Sequence, residues 1–141
     1  MSEKALLALL PQHALGVLAT LRSCGRPQLS NINYAYSASE QCVRISTTAD
    51  RAKLKNLRRD PRASLHVTAA DGWAWTVVEG TAEVTAPAAG PDDDVTEELV
   101  AVYRALRGEH PDWDEYRAAM VADRRLVVRL PVGRVYGQPR R

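Results

Sequence analysis

Apolar positions change their spacing several times along the chain, and each change marks an expected element. Ala5 to Leu10 follows Ser2, a usable cap, and stops at Pro11, which predicts a short first helix. The small apolar residues from Gly16 to Leu21 read as a buried strand. Ser23-Cys24-Gly25-Arg26 is a turn in which Gly25 can take a positive φ, and Gln28 to Tyr36 returns as the second strand of a hairpin. Val43, Ile45 and Thr47 alternate with Arg44 and Ser46, giving a third strand with one wet face. The period then turns helical in Asp50 to Arg59, with Leu54 and Leu57 on one side, Asp50 as the expected N-cap and Asp60-Pro61 as the stop. Ala63, Leu65 and Val67 alternate again as a fourth strand. Asp71-Gly72 is a hairpin turn, and Trp73 to Thr85 reads as one long fifth strand with Gly80 marking a bulge.

Pro87 to Pro91 is loop-like. Asp92-Asp93-Asp94 opens a helix closed by Gly108, its acids at the positive end of the macrodipole. Asp112 starts another helix, with Glu115 three residues on as a capping box, and Leu126, Val128, Leu130 and Val132 form a last strand. Six strands joined largely by hairpins, with helices set aside, predict an antiparallel α+β fold. The long inward alternation suggests a barrel. At 141 residues, with no internal repeat and no linker, residues 1–141 are expected to form a single domain.

Charge changes this picture little. The formal net charge is +2, so the overall balance gives no sign of a nucleic-acid partner. The two cysteines, Cys24 and Cys42, have no metal or redox spacing. The apolar run near the N-terminus is too short and wrongly flanked for a signal peptide or membrane span. A cytoplasmic protein with reduced thiols is the expectation. There is no G-x-G-x-x-G, no phosphate-cradling Walker loop, no G-x-S-x-G and no C-x-x-C. His13, His66 and His110 are scattered, and each is expected at the surface or hydrogen-bonded rather than on a metal.

Three segments carry candidate chemistry. In Ser46-Thr47-Thr48-Ala49-Asp50-Arg51-Ala52-Lys53 a strand runs into a helix. Backbone N–H groups at a helix start attract anions, and hydroxyls add donors. Arg51 and Lys53 in the first turn oppose the macrodipole, a sign that an anion between them would reverse. They are either a phosphate-sized anion site or solvated charges on an exposed helix. Gln28-Leu29-Ser30-Asn31-Ile32-Asn33-Tyr34 is rich in amides, each of which needs partners. These are aimed at the edge of a heterocycle or are the side chains of an edge strand. In Trp73-Ala74-Trp75, alternation puts both indoles on one face, for an interface, a flat ligand or core packing.

Ser-Thr-Thr after a strand, Arg51-x-Lys53, a Leu four residues later and Asp60-Pro61-Arg62 resemble the pyridoxamine 5'-phosphate oxidase-like split β-barrel family. The resemblance runs from about Gly16 to Tyr136. Gly25-Arg26-Pro27-Gln28-Leu29-Ser30-Asn31 resembles the deazaflavin (coenzyme F420)-dependent reductases within it. So do Asn56-Leu57-Arg58-Arg59, Asp71-Gly72-Trp73 and Asp123-Arg124-Arg125. The resemblance implies a split β-barrel with flanking helices and a homodimer with cofactor sites at the subunit interface. It implies that Lys53 and Arg51 hold a phosphate, and that Thr47, Thr48 and Asn56 lie near the phosphate or tail. Gln28, Ser30 and Asn31 then lie under the ring system, and Trp73, Ala74, Trp75 and Val77 cover the other subunit's cofactor. The activity implied is hydride transfer between reduced coenzyme F420 and a conjugated small organic acceptor. The alternatives are an FMN-dependent reductase on the same fold and a non-catalytic flavin- or deazaflavin-binding protein. The chain lacks the family's C-terminal Arg/His substrate segment and ends in a short basic tail, so oxidation of pyridoxamine phosphate itself is not expected.

Overall fold

The computed structural model describes residues 2–140. Small and β-branched residues in alternation build nine strands: β1 (Leu15–Leu21), β2 (Pro27–Asn33), β3 (Ala35–Ser37), β4 (Cys42–Thr48), β5 (Arg62–Thr68), β6 (Trp75–Thr81), β7 (Glu83–Val84), β8 (Arg125–Pro131) and β9 (Arg134–Gln138). The helices are α1 (Glu3–Leu7), α2 (Ala52–Arg59), α3 (Asp94–Arg107) and α4 (Trp113–Ala122), with a single 3-10 turn at Leu10–Gln12. One sheet has the order β2-β1-β5-β6-β9, the other β3-β4-β8-β7, and the recorded pairings are antiparallel. Leu18, Leu65 and Val78 from the first sheet meet Val43, Ile45, Val128 and Leu130 from the second in one shared core. No helix among the described residues is long and apolar enough to cross a membrane.

Two of the three additional strands arise where long expected strands cross from one sheet to the other, and the third, β9, was not expected. Tyr34 divides Gln28–Tyr36 into β2 and β3. Its ring is buried and its hydroxyl donates to the Leu10 carbonyl at 2.7 Å. Ala82 divides Trp73–Thr85 into β6 and β7: its N–H still donates to the Pro61 carbonyl, in line with the β5–β6 register, and the next residues pair with β8 instead. The chain after Val132 turns back as β9 to pair with β6. No bulge forms at Gly80, since the β5–β6 register runs unbroken from Arg62↔Thr81 to Thr68↔Trp75. Glycine is needed there because an added Cβ would come within 2.3 Å of the Pro131 carbonyl oxygen, where the two sheets close on each other.

Several caps also differ from expectation. The first helix stops at Leu7, before Pro11, and Ser2 caps it only with its backbone. Helix α2 starts one residue late, so Arg51 and not Asp50 takes the N-cap position. Asp50 instead accepts the Thr48 hydroxyl at 2.7 Å. Asp93 caps α3, accepting the Ala89 and Thr96 N–H groups at 2.8 Å each and the Gly90 N–H at 3.2 Å, and these amides hold its carboxyl down at about 2. The capping box at Asp112 is half formed: Asp112 accepts the Glu115 N–H, while its own N–H donates to His110 Nδ1.

The α3–α4 hairpin packs on the outer face of the β4–β8 sheet, where Leu99, Met120 and Val127 make a second apolar cluster. Glu98 fixes α3 in place. It accepts two bonds from Arg129, at 2.6 and 2.8 Å, and one from Arg44 at 2.8 Å. Those arginines keep the Glu98 carboxyl below its usual range.

Candidate functional site

A cleft of about 520 Å³ opens between the edge of one sheet and the helices on the other. Strand β2 is an edge strand, and four consecutive residues of it, Ser30 to Asn33, line the cleft. Consecutive residues point to opposite faces, so the strand presents its unpaired edge, with amide and carbonyl groups, to the opening. Ser46 and Thr47 come from the end of β4, and Arg51 and Lys53 from the start of α2. Val102, Tyr103, Leu106 and Arg107 of α3, Tyr116 and Met120 of α4, and Arg125 of β8 form the opposite wall.

The electrostatics are one-sided. Among the described residues, four cations line the cleft, Arg51, Lys53, Arg107 and Arg125, and no carboxylate does. Among the described residues no side chain caps α2; the Arg51 and Leu54 amides donate to the Thr48 and Arg51 carbonyls, which leaves the Ala52 and Lys53 amides open beside the cleft. Lys53 is half-buried, and its ammonium is held below its usual pKa by burial and then by the neighbouring Arg51 charge. Two cations at the positive end of an uncapped helix are each unfavourable there. An anion would satisfy the amides and both side chains together.

Five of the expected site residues therefore share this cleft: Ser30, Asn31, Thr47, Arg51 and Lys53. Thr48 is engaged with Asp50. Gln28 and Asn56 lie outside and face each other. Asn56 Nδ2 donates to Gln28 Oε1 at 2.7 Å and to Thr20 Oγ1 at 3.1 Å, and its Oδ1 accepts from Arg59 at 2.8 Å. Trp73, Ala74 and Trp75 line a separate cleft of about 830 Å³ with Gln138 and Arg140. The two indoles do not share a strand face, because β6 begins at Trp75 and Trp73 belongs to the preceding turn, 81% exposed. Trp75 packs edge-on against Tyr136 and tilted against His66. Val77 is buried in β6, in register between His66 and Tyr136.

Sequence reasoning missed the helical wall. Tyr103 and Arg107 lie four residues apart on α3, as do Tyr116 and Met120 on α4, so each pair shares one helix face. That spacing was visible, but not which sheet the face would meet. Of the histidines, His66 and His110 lie among aromatic rings, whereas His13 differs from expectation: its Nε2 is buried without a hydrogen-bond partner. Cys24 is exposed and Cys42 buried, both unpaired.

Two antiparallel sheets closed on one core, with a cation-lined cleft at a strand-to-helix turn, make a split β-barrel. The family model for pyridoxamine 5'-phosphate oxidase matches residues 2–138, and the chain belongs to that family. Solved structures agree in fold. A conserved hypothetical protein of Mycobacterium tuberculosis aligns with a TM-score of 0.76 at 25% identity, covering 99% of this chain and 85% of that one. A protein described as an F420 reductase aligns with a TM-score of 0.68 at 23% identity, covering 92% and 94%. A FAD-binding protein of Mesorhizobium loti aligns with a TM-score of 0.69 at 17% identity, covering 100% and 96%.

Proposed function

We propose that the protein is a homodimeric oxidoreductase that moves a hydride between reduced coenzyme F420 and a conjugated small organic acceptor. The observation that carries this reading is the α2 start. Arg51 and Lys53 flank an uncapped helix end in a cleft without carboxylates, with Lys53 already stripped of part of its water. Those groups suit a phosphate ester. The edge of β2 suits a flat heterocycle with hydrogen-bonding atoms on its rim, since Ser30, Asn31 and Asn33 add side-chain donors and acceptors. A deazaflavin, when bound, accepts or donates a hydride at its ring. This chain's part is to bind the phosphate, orient the ring and shield it from water. That division accounts for a cleft with cations and hydroxyls but no general acid–base pair.

The outer face of the β2-β1-β5-β6-β9 sheet supports the dimer. Leu15 and Leu29 on that face are 61% and 66% exposed, and Val77 and Tyr136 continue it. A second copy covering this face would hide the apolar side chains and bring its own Trp73–Val77 segment toward the cofactor. An FMN-dependent reductase is the second reading, because a phosphate position alone would serve FMN; a carrier that binds cofactor and turns nothing over is a third. The deciding experiment is a parallel titration of purified apoprotein with FMN and coenzyme F420. Tighter binding of coenzyme F420, with no yellow flavin retained on purification, is expected. Stoichiometric FMN that the deazaflavin cannot displace would overturn the preference.

A further inference from the structure

The helical wall of the cleft is braced by a histidine that sits outside its lining. Tyr103 of α3 and Tyr116 of α4 line the cleft, with ring centroids 4.9 Å apart. His110 lies 5.2 Å from Tyr103, 5.5 Å from Tyr116 and 5.7 Å from Trp113, closing a cluster of four rings. Its turn joins the two helices, from Gly108 at the end of α3 to Asp112, the N-cap of α4. There the Asp112 N–H donates to His110 Nδ1 at 2.9 Å. Nδ1 is thus an acceptor, and the neutral ring carries its hydrogen on Nε2. An imidazolium has a hydrogen on both nitrogens and no lone pair for the amide. Flipping the ring only exchanges one N–H for the other. Aromatic faces attract a cation, so the charged ring can stay in the folded protein, but it cannot keep this turn.

The other charged and titratable groups on these elements are Tyr103, Arg104 and Arg107 of α3, Glu109 and Asp112 of the turn, and Asp114, Glu115 and Tyr116 of α4. Arg104 and Glu109 pair at 2.5 Å, and the Arg104 guanidinium also lies 4.9 Å over the Trp113 ring. Asp112 is occupied by the Glu115 N–H at 3.1 Å. The Tyr116 hydroxyl donates to the Leu99 carbonyl, and burial pushes its pKa up, so it stays neutral. Imidazole is the side chain that takes up its proton between about pH 8 and about pH 5. Across that range the grip on α3 persists, because the Asp93 carboxyl is held at about 2 and that of Glu98 below its usual range. We infer that His110 is a proton-operated latch on the cleft: neutral, it locks the α3–α4 turn and seats Tyr103 and Tyr116; protonated, it releases the turn, and the molecule in the cleft binds more weakly. The binding consequence rests on the proposed cofactor reading; the latch itself does not.

The test has two arms, each run from about pH 8 to about pH 5. Nuclear magnetic resonance on the whole apoprotein follows the Asp112 amide and the Tyr103 and Tyr116 rings, and all three should shift together as the acid form appears. Titration with coenzyme F420 should show affinity falling roughly threefold to tenfold, the worth of about one hydrogen bond. His110→Asn offers a side-chain oxygen to the Asp112 N–H and takes up no proton. His110→Phe keeps a ring but neither accepts nor titrates. In both variants the tyrosine signals should stay still, and affinity in acid should remain within about twofold of its alkaline value. Melting temperatures check folding, and either variant suffices if the other is unfolded. Tyrosine shifts that persist in the variants, an Asp112 amide that moves while the tyrosines do not, or a wild-type affinity that stays constant while they move would each overturn the latch. If coenzyme F420 binds at neither pH while the tyrosine signals still follow His110, the cofactor reading has failed and the latch stands.

Discussion

At the level of single residues, the candidate site separates side chains with open valences from those already satisfied. Arg51 and Lys53 are open, and charge-assisted bonds to a phosphate are worth roughly 1.5–3 kcal/mol each. Lys53→Ala and Arg51→Ala should each weaken cofactor binding on the order of 10- to 100-fold, since about 1.4 kcal/mol is a factor of ten. Lys55 lies outside the cleft on the same helix and serves as the control. Equal affinity in Lys53→Ala and Lys55→Ala would reduce the helix to general positive charge. Asn56 is the opposite case, a buried amide bonded to Gln28, Thr20 and Arg59. Asn56→Ala strands those partners and should cost roughly 1–3 kcal/mol of stability, read as a lower urea midpoint, with a smaller effect on affinity than Lys53→Ala. Sequence alone shows that amides are concentrated near Gln28. It does not show that Gln28 and Asn56, distant in the chain, would consume each other's hydrogen-bonding capacity.

At the level of elements, helix ends and the clamp on α3 decide what can change without loss of the cleft. Asp93 gathers three amide donors at the start of α3, from Ala89, Gly90 and Thr96. Its carboxyl is lowered from 3.8 to about 2 on folding. The stability it supplies is therefore complete above the unfolded value and is lost as the pH falls from about 4 toward 2. Asp93→Ala should cost about 1 kcal/mol at neutral pH, and acid titration of the variant should show a smaller loss over that window than the wild type. The types of the expected elements were legible, because periods of two and of 3.6 residues are distinct, whereas β9 was not read from the sequence. The crossings at Tyr34 and Ala82 were not, since a strand that changes sheets keeps its alternation and only its hydrogen-bond partners differ. The start of α2 was misplaced by one residue because Asp50 is a good cap in isolation, and its bond to Thr48 competes with that role.

At the level of the whole molecule, the shared core fixes the two sheets and leaves one sheet face with large apolar side chains in solvent. Light scattering at micromolar concentration should give about twice the chain mass of 15.5 kDa. Leu29→Arg should convert the protein to a folded monomer and lower cofactor affinity, while a mutant that remains dimeric would remove this face as the interface. The family and its barrel were readable from ordered motifs along the chain; the depth of the cleft was not, because α3 and α4 reach it only after folding onto the second sheet. The placement of Trp73 in a turn has a spectroscopic consequence. Its indole lies in water, while Trp75 and Trp113 lie among aromatic rings, so it contributes the long-wavelength edge of the ultraviolet emission. If a second copy covers it, dilution should shift that edge to the red along the curve that scattering traces for dissociation, and Trp73→Leu should erase the shift.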